Sequence, residues 1–134
     1  MPIAARNEWP TADDLRAWMR SERVEESNPE MIDLSFASAD ELLRYRIDRD
    51  EFNYRAEMAG IVTDPTADGF DAAVYGAWCP SYVHHAILIR AASLYVRRDS
   101  ANGTISFGEF ATSVRKMDPD VDDLMRELQR TNLP

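Results

Sequence analysis

Apolar residues along this chain recur mostly at three- and four-residue intervals, the spacing of helices that bury one side. The first start signal is Trp9-Pro10-Thr11-Ala12-Asp13-Asp14. Thr11 can cap a helix, and Asp14 stands where a capping box places its acidic partner, so a helix should begin at Ala12. Leu15, Trp18 and Met19 form its apolar side, Asp13, Arg16 and Arg20 face water, and Trp9 is placed to staple the entry. Asn28-Pro29 is the second start signal, because Asn caps well and Pro loses nothing in the first turn. From Glu30 a long amphipathic helix is readable, with Ile32, Ser35 or Phe36, Ala39, Leu42 and Leu43 toward the core and Asp33, Asp40, Glu41 and Arg44 outside. It fades between Ile47 and Phe52.

Between residues 48 and 79 no period survives. Asp64-Pro65, Asp68-Gly69 and Gly76 interrupt it, while Phe70, Val74, Tyr75 and Trp78 are scattered anchors. The expectation is an extended loop or arm, and a loop of that length in a small domain suggests contact with something else. Pro80 then opens the strongest helix, through Val83, Ala86, Ile87, Ala91, Leu94 and Tyr95 to Arg97-Arg98, whose cations suit the negative end of the helix dipole. Leu88 and Ile89 widen its apolar stripe, so most of its circumference should be covered by its own domain and by a neighbouring subunit. A turn at Gly103 precedes two short extended pieces, 104–107 and 110–114, that suggest a hairpin. Asp118-Pro119 starts a last helix with Val121, Leu124, Met125 and Leu128 on one side, followed by a flexible tail over 129–134.

The fold expected is therefore mainly α: a small bundle of three to four helices with a long central loop and a short β-hairpin before the C-terminal helix. At 134 residues it should be one domain, 1–134. No 18-residue apolar run exists that would span a membrane, and the charged N-terminus is unlike a secretory leader, so synthesis and assembly in a cytoplasm are expected. The net charge of -9 opposes the counterion release on which nucleic-acid readers depend, yet it suits a surface past which DNA slides without sticking.

Candidate chemistry is sparse. Cys79 is the only cysteine and sits between Trp78 and Pro80 without an activating neighbour, so packing is its expected role and no internal disulfide can form. His84 and His85 are adjacent on a helix, which points their rings about 100° apart and away from a shared metal. Asp118, Asp120, Asp122 and Asp123 gather at a helix start, where carboxylates stabilise the dipole. No Gly-rich phosphate loop or nucleophile elbow is present, so no catalytic residue and no cofactor are assigned. Residues 98–109 can be laid on a twelve-residue calcium loop, with Gly103 at the turn and Asn102, Ser106 and Glu109 as metal ligands. Arg98 stands where the first carboxylate belongs, which leaves a degenerate calcium-binding or regulatory module as the alternative reading.

One resemblance organises these pieces. The order Pro80-x-x-Val83, Ala86 to Ala92, Leu94-Tyr95-x-Arg97-Arg98-x-Ser100-x-x-Gly103, Phe107-Gly108-x-Phe110 and Asp118-Pro119-Asp120-Val121-x-x-Leu124 resembles the head-to-tail adaptor, or connector, family of long-tailed bacteriophages over residues 80–130. Trp9-Pro10-Thr11-x-x-Asp14-Leu15-Arg16-x-Trp18 is similar to the opening of those proteins. The resemblance implies a structural virion protein at the head-tail interface, with no enzymatic activity. It implies a homo-oligomeric ring, twelve-fold, beneath the portal protein, which extends the DNA channel for genome ejection and docks a neck or tail completion protein. On that reading the interface candidates are Phe70, Tyr75 and Trp78 in the 48–79 arm, for neighbouring subunits, and Val121, Leu124, Leu128 and Leu133, for the portal.

Overall fold

The computed structural model describes residues 3–24, 26, 28–99 and 120–128, and these are mainly helical. After a 3₁₀ turn at Ala5–Asn7 come α1 (Ala12–Ser21), α2 (Pro29–Arg46), α3 (Arg49–Met58), α4 (Ala72–Ala77) and α5 (Ser81–Asp99). Residues 120–125 are helical, and Arg126–Leu128 continue them as a 3₁₀ turn. Local chemistry explains most boundaries. The capping box of α1 is complete: the Thr11 hydroxyl accepts the Asp14 N–H and the Asp14 carboxylate accepts the Thr11 N–H. Asn28 caps α2 by accepting the Met31 N–H, with Pro29 in the first turn.

The stretch expected as one long loop is instead two helices joined by residues 59–71. Asp48 accepts the N–H groups of Asp50 and Glu51 and so starts α3, and Asp71 does the same for Ala73 and Val74 at α4. α3 escapes pattern reading because only Phe52 and Ala56 face the core, a two-residue stripe too narrow to register as a period. Gly76 lies inside α4 rather than breaking it. α3 ends in a Schellman motif: Ile61 N–H reaches Ala56 C=O, Gly60 N–H reaches Glu57 C=O, and Gly60 takes φ 87°. α1 ends in the same way, with Val24 bonded to Met19 and Arg23 to Arg20, but the left-handed residue is Arg23 at φ 60°. The hairpin expected at 104–114, the turn at Gly103 and the tail 129–134 lie outside the described residues.

α2 and α5 make the most extensive contact between elements and run antiparallel, with the Asn28 N–H donating to the Tyr95 hydroxyl at 3.1 Å. Around this pair lie two apolar clusters. The first joins Leu15 and Met19 of α1 to Ile32 and Ala39 of α2 and to Leu88, Ala91, Ala92, Tyr95 and Val96 of α5. The second joins Leu43, Ile47, Phe52 and Ala56 to Trp78, Cys79, Val83, Ala86 and Ile87, closed by Val121, Met125 and Leu128. The broad apolar stripe of α5 is thus covered largely within the protomer. In the second cluster Phe52 stacks on Trp9 and meets Trp78 edge-on, at centroid distances of 5.9 and 5.3 Å, and Arg44 lies 3.8 Å above the Trp9 ring. Trp9 therefore packs on α3 rather than only at the entry to α1.

Backbone ties fix the remaining segments. The N-terminal arm pairs with the end of α4 through Trp9 N–H to Ala77 C=O and Cys79 N–H to Asn7 C=O. The C-terminal segment is held by Asp48 N–H to Leu128 C=O at 2.7 Å and by the Arg46–Asp122 ion pair. Arg16 clamps α1 to α2, its guanidinium meeting Asp13, Glu26 and Asp33.

Two substitutions test this packing. Phe52→Ala removes the centre of the aromatic stack and is expected to lower unfolding free energy by about 3–5 kcal/mol in urea denaturation. Arg23→Gly relieves a side chain held at positive φ and is expected to raise it by about 1 kcal/mol in the same assay.

Candidate functional site

Among the described residues, five large apolar side chains stand out in water. Leu34, Leu42 and Tyr45 on α2 are 48%, 54% and 69% exposed, and Tyr54 and Met58 on α3 are 55% and 72% exposed. Their spacing explains the arrangement. At 100° per residue Tyr45 falls within about 20° of Leu34 and Leu42 about 80° to one side, so the three line one stripe of α2 about 16 Å long. The core stripe of Ile32, Ser35, Ala39 and Leu43 adjoins it on the Leu42 side and is buried. Leu42, expected on the core side, stands at the edge of the core stripe and is 54% exposed. Tyr54 and Met58 are one turn apart on the outer side of α3.

An open groove of about 380 Å³ borders the α2 stripe, lined by Leu42, Leu43, Tyr45, Arg46, Arg90, Val121 and Asp122. A second, of about 430 Å³, lies where the N-terminal arm meets the end of α3, beside Ala59, Gly60, Ile61, Val74 and Trp78. Neither gathers a nucleophile with a base, and among the described residues no three His, Cys, Asp or Glu side chains converge on a point that would hold a metal ion.

The residues singled out from sequence divide sharply. Trp78 is 5% exposed, Val121 2% and Leu128 0%, and all three pack in the chain's own core. Leu124 packs half-buried against the same cluster. Phe70 and Tyr75 are half-buried and meet at 6.0 Å, with the Tyr75 hydroxyl donating to Asn53 of α3 at 2.6 Å. Leu133 and the loop residues Asn102, Ser106 and Glu109 lie outside the described residues. Sequence reasoning missed Leu34, Tyr45, Tyr54 and Met58. The signal for the first two was present as a second apolar period on α2, offset from the core stripe.

The titratable groups are spent locally. Burial pushes the Cys79 thiol up, and the nearby Arg44 only partly offsets that; its Sγ donates to the Pro80 carbonyl at 3.3 Å. His84 Nδ1 lies 2.7 Å from the Glu8 carbonyl, and His85 lies edge-on to Trp18, so the adjacent rings serve different contacts. Hydrogen bonds from the Thr66 N–H and hydroxyl hold the Asp64 carboxyl below its usual range, in the manner of a turn. Asp122 and Asp123 pair with Arg46 and Arg126. No helix among the described residues is long and apolar enough to cross a membrane. Comparison with protein-family models, with curated proteins and with solved structures gave no match.

A thiol kept neutral and covered should resist modification. A disulfide reagent at mildly alkaline pH is expected to label Cys79 at least about a hundredfold more slowly in the folded protein than in denaturant. Rapid stoichiometric labelling of the native chain would contradict the burial described.

Proposed function

We propose that this chain is a structural, non-catalytic subunit of a tailed-bacteriophage virion: a head-to-tail adaptor that forms a ring beneath the portal, extends the DNA channel and docks a neck or tail completion protein. The observation that carries the reading is the ordered run of motifs from Pro80 to Leu124, together with the Trp9 to Trp18 opening. Three further features support it. The chain is mainly helical. Its surface keeps large apolar side chains on α2 and α3 in water, as a subunit awaiting neighbours would. Its net charge of -9 repels phosphate and so suits a passage that must not retain DNA.

The distribution of exposed residues refines where contacts fall. Ring closure needs two different patches on each subunit. Tyr54 and Met58, exposed within the 48–79 stretch, are the candidate for one of them. The protein accumulates in the host cytoplasm during assembly and ends in the neck of the virion.

The test is co-sedimentation of the purified protein with its portal ring, with chelator and with calcium in parallel. Saturable binding near one subunit per portal subunit, indifferent to calcium, is the expected result. Absence of binding in every condition, with helicity that responds to calcium, would replace this reading with the calcium-module alternative.

A further inference from the structure

We propose that the outer face of α2 is a docking site for an amphipathic helix of another protein, one whose apolar ridge is bordered along one edge by lysine or arginine. This inference does not rest on the adaptor reading; it follows from the geometry and charge of the face itself.

The face has the dimensions of a helix partner. Leu34, Ser38, Leu42 and Tyr45 succeed one another at steps of four, four and three, an inclined ridge about 16 Å long that spans three turns of the helix. Ser38 is the small member, a dent between two leucines into which a partner side chain fits. Beside the stripe, the groove of about 380 Å³ next to Leu42 and Tyr45 has room for a large side chain. Large apolar side chains grouped on one exposed helix side and edged by charge are the pattern that interaction sites show.

The two borders of the stripe differ, and the difference selects the partner. On one side lie Glu30 and Glu41, both exposed and, among the described residues, in no ion pair. On the other side Arg46 is neutralised by Asp122 at 3.1 Å. A cation on the partner therefore gains only along the Glu30–Glu41 edge, which fixes the rotation of the docked helix as well as its charge. A second copy meeting this face with the same face is disfavoured, since each would set its own Glu30–Glu41 edge against the other's. Nucleic acid and anionic lipid are repelled by the same border. What remains is a basic-edged helix, held by burial of its ridge and oriented by its cations.

The probe is a synthetic helical peptide with leucines at steps of four, three and four and lysines along one edge, compared with the same peptide carrying glutamates in place of the lysines. Binding is followed by fluorescence anisotropy at about 0.15 M ionic strength, where exposed charges alone are largely screened. The lysine peptide is expected to bind saturably and the glutamate peptide at least about tenfold more weakly. Leu34→Ser with Leu42→Ser, and separately Glu30→Gln with Glu41→Gln, are each expected to weaken the lysine peptide at least about tenfold while thermal unfolding stays unchanged, since all four side chains are exposed. Equal binding of the two peptides, absence of binding, or binding untouched by either pair of substitutions would overturn the proposal. So would sedimentation showing that the protein alone dimerises through this face, with Leu34→Ser/Leu42→Ser restoring the monomer.

Discussion

Helices α2 and α5 make the most extensive contact between elements, running antiparallel, and small side chains are buried on both, Ser35 and Ala39 on one and Ala91, Ala92 and Ser93 on the other. The hydroxyls of Ser35 and Ser93 are enclosed without a hydrogen-bond partner, so what they contribute is small size rather than polarity. Because α5 enters both apolar clusters, its position fixes α1 against one end and α3, Trp78 and the C-terminal segment against the other. The pair also determines what is left outside. Burial of the core stripe of α2 leaves Leu34, Leu42 and Tyr45 exposed, so the exposed face is a direct consequence of how the core closes.

Much of this was legible in the residues because local chemistry and burial agreed. Thr11 with Asp14 starts α1, Asn28-Pro29 starts α2, and the apolar run from Val83 to Tyr95 is buried almost as a whole, as its width implied. α3 was illegible because Phe52 and Ala56 alone reach the core and most of its other side chains face solvent, so its period is two residues deep. Its best clue was Asp48, which read as a loop acid and is the cap. The error at Leu42 has another cause. Hydropathy ranks leucine above serine and alanine as a core residue, whereas the buried stripe takes Ser35 and Ala39 and leaves Leu42 at its edge, half in water. The same preference for large apolar residues placed Trp78, Val121 and Leu128 among the interface candidates, and all three pack in the chain's own core.

The functional reading and the surface converge on docking rather than chemistry. Asp48, Asp71 and Arg16 are committed to caps and an interhelical clamp, and the only thiol is enclosed and neutral. What the described residues present to their surroundings is a helical body with large apolar side chains exposed on α2 and α3, the α2 stripe edged on one side by Glu30 and Glu41. Such a surface gains most from partners that cover it, and it discriminates among them by the sign of charge at the border.

The measurement that bears most directly on the account is native-state hydrogen exchange, residue by residue. If the α2–α5 contact is the element on which the rest depends, amides from Ile32 to Leu43 and from Val83 to Tyr95 will be the slowest, exchanging only through global unfolding, while α3, α4 and residues 59–71 open locally at lower free energy. Slower exchange in α3 or the N-terminal arm than in the α2–α5 pair would contradict it, and would place the organising contact in the aromatic stack around Phe52 instead.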